Sequence, residues 1–288
     1  MTAHLSLTDF LKSRPAVLKR GPIAIILVED DAVVTETLRH HAQVGFRHIL
    51  ALSPSPVPLP EDLAQCVTCL HWNTRRPHAH QDAVNAILAA VPAGTWLYYC
   101  YNAEFLFFPF SETRSIGELL AFHAEERRQA MLTYVVDLYS PDLSRDPNAV
   151  SLTDAMFDRA GYFALGRKGP EGPLERQLDF HGGLRWRFEE HIPTASRRID
   201  RIALFRAAPD LRIGADRRFN IPEYNTYSCP WHHNLTAAIA SFRAAKALAT
   251  NPGSREAIGS FRWRNSEPFQ WRAQQLMELG LIEPGQWF

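Results

Sequence analysis

The sequence predicts an α/β fold with a mostly parallel central sheet and an irregular C-terminal half. An apolar run at 22–28, a helical segment at 32–44 and a second apolar run at 46–52 form a strand–helix–strand unit, which favours a parallel sheet. Strand-like and helix-like segments continue to alternate as far as residue 138. The segment 140–173 is instead rich in Pro, Gly, Asp and Arg, and we expect long loops there.

Each predicted element has its own pattern. The first strand is a continuous run rich in Ile, which is typical of a strand buried on both faces. The helix after it has apolar residues on one face and ends near Gly45, a residue suited to helix ends. Further strands are expected at 66–72, 96–108, 130–138 and 201–205. Further helices are expected at 81–91, at 116–124, at 235–250 and, as an aromatic-rich closing segment, at 261–288.

Length and composition limit the class of protein. The 288 residues allow one large or two ordinary domains, and we expect one domain over 1–250 and a closing helical segment over 251–288. Lys plus Arg total 31 and Asp plus Glu total 31, so the chain lacks the basic footprint of a dedicated nucleic-acid binder. The N-terminus shows no secretory signal, and the most apolar stretch, 96–110, is shorter than the roughly 20 residues that span a bilayer. We therefore expect a cytoplasmic protein with no integral membrane segment and no nucleic-acid partner.

Short motifs follow one another along the chain in an informative order. They are Glu29-Asp30, His41-Ala-Gln-Val-Gly45, Gly94-Thr-Trp96, Glu104-Phe105-Leu106, Asp137-Leu-Tyr139, Phe157-Asp158, Gly182-Gly183-Leu-Arg185-x-Arg187, the run from Arg201 to Arg206, and His232. In this order they resemble bacterial glycosyltransferases of the family-2-like kind, the group with an Asp-x-Asp-Glu-Phe motif. The resemblance covers roughly residues 22–250.

The resemblance implies a GT-A-like fold, a Rossmann-type sandwich whose sheet binds a nucleotide-sugar at its strand ends. It also implies transfer of the sugar from this donor to a hydroxyl group of a glycan acceptor. In relatives the Asp-x-Asp carboxylates hold Mn²⁺ or Mg²⁺, which are hard ions that prefer oxygen ligands. Here those two positions are Tyr101 and Ala103, and Ser53 stands where the second strand of relatives ends in Asp. The metal ligands are missing, so we expect no metal site and no certain cofactor.

The resemblance and the strand-end positions together nominate site residues. Glu104 and Asp137 are candidate catalytic bases, because each follows or ends an apolar strand, where ligands of α/β proteins bind. For Glu104 the alternative is an ion-paired or helix-capping carboxylate. The candidate donor-binding residues are Glu29, Asp30, Tyr101, Arg185, Arg187, Arg206 and His232.

Alternatives stay open for the donor-binding groups. Glu29 and Asp30 can contact a base or ribose, or they can cap the following helix. Arginine forks match a diphosphate and can offset a lost cation, and 185–218 holds nine Arg against five acids. The same residues also suit a salt-bridged surface. His232 can contact a phosphate or pack among aromatic side chains.

A rival metal site is suggested by Cys66, Cys69 and His71, with His78 and His80 downstream. Cysteine and histidine at short spacing can bind Zn²⁺. However, residues three apart on a strand face opposite sides of the sheet, which opposes chelation by the two cysteines.

Two functions therefore remain. The first is a glycosyltransferase that works without the usual metal site, and the second is a catalytically silent relative that binds a glycan, a nucleotide or a protein. Both require Val28, Leu52 and Tyr101 to meet at one edge of the sheet. An open cleft around 101–104 lined by Arg and acids favours the enzyme, whereas a site plugged by Tyr101 and Phe105 favours the silent relative.

Overall fold

The computed structural model describes residues 5–226 and 234–287. The fold is α/β, and the chain divides into two compact units. The first unit comprises Met1–Ala103, Thr113–Met131 and Ile202–Asn225. The second unit comprises Glu104–Glu112, Leu132–Arg201 and Thr226–Phe288.

The described residues contain twelve strands and seven α-helices. The strands are β1 (Ile23–Leu27), β2 (His48–Ser53), β3 (Val67–His71), β4 (Trp96–Tyr101), β5 (Glu104–Phe107), β6 (Ala130–Tyr139), β7 (Met156–Asp158), β8 (Phe163–Gly169), β9 (Gly172–His181), β10 (Asp200–Arg206), β11 (Ala237–Ser241) and β12 (Ser266–Pro268). The helices are α1 (Leu7–Lys12), α2 (Val34–Gln43), α3 (Ala79–Leu88), α4 (Ile116–Glu125), α5 (Gly183–Arg187), α6 (Arg243–Thr250) and α7 (Ala273–Glu278). Within these described residues, no helix is long and apolar enough to cross a bilayer.

The first unit contains a parallel sheet. Its strands lie in the order β3-β2-β1-β4 and all four are parallel, while residues 204–206 of β10 pair antiparallel with the start of β4. Leu27, the last residue of β1, pairs with Leu52 on one side and with Tyr101 on the other. The predicted parallel strand–helix–strand unit is confirmed, and so is the predicted meeting of these strand ends at one edge.

The opening strand–helix–strand unit follows from its sequence pattern. Every residue of β1 is fully buried, as its continuous apolar run predicts. Helix α2 buries one face that includes Val34, Leu38 and His41. Gly45 follows this helix with a φ of 98°, a conformation that glycine adopts without steric cost.

The second unit contains a mixed sheet. Its strands lie in the order β12-β7-β6-β11-β5, in which only β6 and β11 are parallel neighbours. Strands β8 and β9 form a separate antiparallel hairpin. The expectation of a mostly parallel sheet therefore holds for β1 to β4 only, because the later strands return by antiparallel pairing.

The predicted strand at 96–108 is two strands, β4 and β5. The break falls at Ala103, which has a φ of 60° and donates its N–H to Thr37 Oγ1 at 2.9 Å. The residues on both sides of the break are apolar and buried, so composition alone did not reveal it. A tertiary contact, rather than a turn-forming sequence, interrupts the strand.

Three predictions for the second half were wrong in part. The predicted helix at 235–250 begins as strand β11, because pairing with β5 and β6 overrides the helix propensity of its alanines. The predicted loops at 140–173 include β7 and β8. In the predicted helical segment at 261–288, only α7 is an α-helix among the described residues. In the core, side chains of several of these elements pack together: Tyr139, Ala149, Met156, Leu184, Ala244, Ala245, Leu248, Ile258 and Phe261.

Candidate functional site

The carboxyl edge of the first unit's sheet has the arrangement of a ligand site. The chain moves outward from β1 through β2 to β3, and then returns to the other side of β1 to form β4. In open α/β sheets, ligands bind in the crevice that such a reversal creates at the carboxyl ends of the strands. Here the crevice lies between the segment that follows Leu27 and the segment that follows Tyr101.

The side chain of Asn102 links the two segments of this crevice. Its Oδ1 accepts the N–H of Glu29 at 2.9 Å. Its Nδ2 donates to the carbonyl of Asp30 at 3.2 Å, to Asp30 Oδ1 at 2.7 Å and to the carbonyl of Ala32 at 3.0 Å. Asn102 is fully buried, and its amide is saturated by these bonds. The residue at the centre of the former metal motif is now a clamp that holds the loop after β1.

The acidic pair after β1 lies at this edge, as predicted. Glu29 and Asp30 are both half-buried. Asp30 Oδ1 accepts the N–H of Ala32 at 3.0 Å as well as the Asn102 amide, so it shapes the loop. Helix α2 instead begins after Val33, which makes no side-chain cap bond. The alternative of helix capping by this carboxylate is therefore not what the structure shows.

Arg75 is a residue at this edge that the sequence analysis missed. It follows β3, and its Nε donates to the carbonyl of Glu29 at 2.8 Å. Its side chain is exposed, and it pairs with no carboxylate among the described residues. The signal was available, because an arginine that follows a parallel strand lies where the ligands of α/β sheets bind. Its neighbour Arg76 is engaged elsewhere, with Asp82 at 2.7 Å.

The metal-motif positions offer no cation site. Tyr101 is 3% exposed and Ala103 is fully buried. Ser53, at the end of β2, is also buried and accepts the N–H of Ser55. Across 5–226 and 234–287, no group of three or more His, Cys, Asp or Glu side chains is placed to hold a metal ion. Cys66, in the rival zinc pattern, is a free thiol.

Glu104 lies in the second unit and forms a buried ion pair. Its two carboxylate oxygens accept from Arg201 Nη1 at 2.6 Å and from Arg201 Nη2 at 3.0 Å, and both side chains are fully buried. The hydroxyl of Ser241 donates to the same carboxylate at 3.1 Å. Such a bidentate fork is the strongest geometry available to an arginine and a carboxylate. The arrangement matches the ion-paired alternative raised for Glu104.

Asp137 lies on the adjoining part of the same sheet. On β11, Ser241 is register-matched both to Glu104 on β5 and to Asp137 on β6, so these three residues form a row across three strands. Asp137 Oδ1 accepts from Arg185 Nε at 3.3 Å. Burial raises the pKa of Asp137 above its ordinary value, although the Arg185 guanidinium opposes the shift. A carboxylate with a raised pKa at the end of a strand is suited to proton transfer.

A glycine holds the backbone close to Asp137. Gly183 has a φ of 60°, and a Cβ at this position would lie 3.1 Å from Asp137 Oδ2. The two residues Gly182 and Gly183 thus let the start of α5 approach the carboxylate and present Arg185 to it. This contact gives a physical reason for the Gly-Gly-Leu-Arg order of the motif.

The second arginine of the motif has its own carboxylate partner. Arg187 Nη1 donates to Asp158 at 3.0 Å, and its guanidinium lies over the ring of Trp263, 4.7 Å from the centroid. The same carboxylate accepts the Tyr139 hydroxyl at 2.6 Å and the Trp263 N–H at 2.8 Å. Asp158 is fully buried. Arg185 and Arg187 are thus both committed to buried carboxylates of the second unit.

Two further donor-binding candidates lie elsewhere. Arg206 pairs with Trp96, the first residue of β4, and donates to the carbonyl of Gly94 at 3.0 Å. It therefore lies at the amino edge of the first unit's sheet, opposite the edge where Asp30 and Tyr101 lie. His232 lies outside the described residues.

A comparison with known protein families and a comparison with curated proteins found no match. The resemblance to family-2-like glycosyltransferases therefore depends on the order of short motifs. What the geometry adds is independent of that resemblance, since it comes from strand order and side-chain contacts.

Proposed function

We propose that this chain is a glycosyltransferase-like protein that binds a nucleotide at the carboxyl edge of its first unit without a divalent cation, and that it does not transfer a sugar. The observation that carries the proposal is the clamp formed by Asn102 at the strand-order reversal between β1 and β4. The reversal supports ligand binding at this edge. The clamp supports loss of the metal chemistry, because a saturated amide stands where relatives present chelating carboxylates.

Arg75 takes over the charge that the cation supplies in relatives. Its exposed guanidinium lies at the edge beside Glu29, which is the position a diphosphate needs. An arginine fork matches phosphate geometry, and hydrogen bonds to charged groups are worth about 1.5–3 kcal/mol. Glu29 and Asp30 are then available to the ribose or the base.

Calorimetry with uridine, guanosine, cytidine and adenosine diphosphates tests this proposal. We expect one of them to bind equally well in EDTA and in Mn²⁺. Replacing Arg75 by Ala should weaken this binding roughly 10- to 100-fold, the equivalent of one lost charged contact. Arg76→Ala is the matched control, since that neighbouring side chain pairs with Asp82, and it should leave the affinity unchanged. Binding that requires Mn²⁺, or the absence of nucleotide binding, would contradict the proposal.

Metal-independent sugar transfer is a second candidate, and it is favoured by the raised pKa of Asp137. Under this alternative, Asp137 takes a proton from the acceptor hydroxyl, and the rate of donor turnover rises with pH as this carboxyl loses its proton. A donor-turnover assay in EDTA distinguishes the two candidates, and we expect no turnover. If turnover is seen, Asp137→Asn must abolish it and its pH dependence. Asp200→Asn, which breaks a different buried pair with Arg167, serves as the control for stability effects.

A further inference from the structure

A cavity of about 250 Å³ in the second unit has no role in the function proposed above. Four aromatic side chains line it, Tyr134, Tyr162, Phe163 and Phe180, together with aliphatic residues such as Ile199. Tyr134 and Phe180 meet edge to face, with ring centroids 4.8 Å apart. Among the described residues that line the cavity, none carries a formal charge. The cavity is thus suited to an uncharged ligand.

The volume of the cavity sets the size of the ligand. An engineered apolar cavity of about 150 Å³ holds benzene, whereas sites for drug-sized molecules measure roughly 300–1,000 Å³. A cavity between these limits accommodates one six-membered ring with its substituents. At its rim, Phe163, Ala164 and Gly280 are exposed, so part of a bound ring would remain in contact with water.

Exposed apolar side chains continue from the rim of the cavity. Phe163 is 41% exposed, Leu165 is 55% exposed and Trp186 is 43% exposed. Phe163 touches Trp186 with ring centroids 6.2 Å apart and stacks on His181 with centroids 5.3 Å apart. These four residues form the aromatic platform, a contiguous exposed patch of the kind that marks an interaction site.

The close packing of the platform is built into the backbone. Gly161 has a φ of 98°, and a Cβ at that position would lie 3.4 Å from the ring of Trp186. The absence of a side chain at this glycine therefore leaves room for Trp186 beside the start of β8.

We propose that the cavity and the aromatic platform together bind a neutral oligosaccharide. One face of a pyranose ring presents C–H groups that pack on aromatic rings, while its hydroxyl groups stay in water on the open side. One sugar ring would occupy the cavity, and the next would lie against Phe163 and Trp186. The uncharged lining disfavours nucleotides, phosphates and acidic sugars, since each would lose the hydration of a charge without gaining a partner. This inference uses only the second unit and does not rest on nucleotide binding by the first.

The test is a titration of the full chain with neutral tetrasaccharides of glucose (α- and β-linked), mannose, xylose and N-acetylglucosamine, followed by tryptophan fluorescence and by saturation-transfer NMR. We expect at least one of them to bind. Trp186→Ala and Phe163→Ala should each weaken this binding by roughly 2- to 10-fold, because an aromatic contact is worth about 0.5–1.5 kcal/mol. Both side chains are exposed, so their removal should leave the fold intact.

Val17→Ala is the matched control, because it removes part of an exposed apolar side chain from the first unit. It should leave saccharide binding unchanged. The proposal is overturned if none of the tetrasaccharides binds, if binding is indifferent to both aromatic variants, or if phenol and indole bind where no saccharide does. Nucleotide binding is measured in a separate titration, so either proposal can fail while the other stands.

Discussion

Replacing Glu104 by Gln is expected to lower the free energy of unfolding by about 3–5 kcal/mol. The variant keeps the shape of the side chain but removes its charge. The Arg201 guanidinium, which is fully buried, would then lack its compensating carboxylate. An uncompensated buried charge is among the few single changes that cost this much. Urea denaturation followed by circular dichroism measures the effect as a lower midpoint.

Glu189→Gln provides the matched control for this prediction. Glu189 also pairs with an arginine, Arg197, at 3.2 Å, but its side chain is 56% exposed. Exposed pairs contribute about 0–1 kcal/mol, so this variant should unfold almost as the unchanged chain does. Should Glu104→Gln prove as harmless as Glu189→Gln, the carboxylate is not a structural partner of Arg201. Its earlier interpretation as a catalytic base would then regain support.

The case of Glu104 shows what sequence can and cannot predict about this site. The apolar run before it correctly predicted a buried carboxylate, and an ion pair was one of the two interpretations. The choice between them depends on Arg201, which lies 97 positions further along the chain. A contact over this separation leaves no local pattern, so only the folded chain reveals it.

Local patterns were reliable where burial and periodicity agree. The segment from β1 to β2 has an uninterrupted apolar run, an amphipathic helix and a glycine at its end, and it folds as predicted. The segment 235–250 is the opposite case. Its alanines favour a helix, but strand partners on both sides of β11 fix the extended conformation of 237–241. Propensity decides only where tertiary pairing does not compete.

The donor-site arginines failed to converge for a related reason. Composition showed that 185–218 is rich in arginine, but it did not show that the carboxylates of Asp137 and Asp158 lie beside Arg185 and Arg187. The exposed arginine at the carboxyl edge, Arg75, belongs to an unremarkable loop outside that region. Position relative to the sheet, rather than local charge density, distinguishes the two groups.

Replacing Asn102 by Asp is the second change with a large expected effect, and we expect it to cost about 3–5 kcal/mol of stability near pH 7. The substitution is isosteric, yet it removes the amide hydrogens donated to the carbonyls of Asp30 and Ala32 and to Asp30 Oδ1. The new carboxylate would face oxygen acceptors in a buried site, at about the 2.7 Å that now separates the amide from Asp30 Oδ1. Thermal and urea unfolding measure the loss. Asn148→Asp, at an exposed asparagine whose Oδ1 accepts the Val150 N–H and would still do so, is the matched control and should change stability by less than about 0.5 kcal/mol.

The pH dependence of the Asn102→Asp variant separates the clamp from a simple loss of packing. Burial and a neighbouring acid both raise the pKa of the new carboxyl, so the folded variant binds a proton more readily than the unfolded chain does. The destabilisation should therefore shrink as the pH falls towards about 4, where the protonated group can again donate one hydrogen bond. If the loss is the same at both pH values, or if the variant is as stable as the unchanged chain, Asn102 does not clamp the loop after β1. The restored acid at the metal motif would in that case have been tolerated, and the argument that this edge has given up its cation for a structural amide would lose its physical basis.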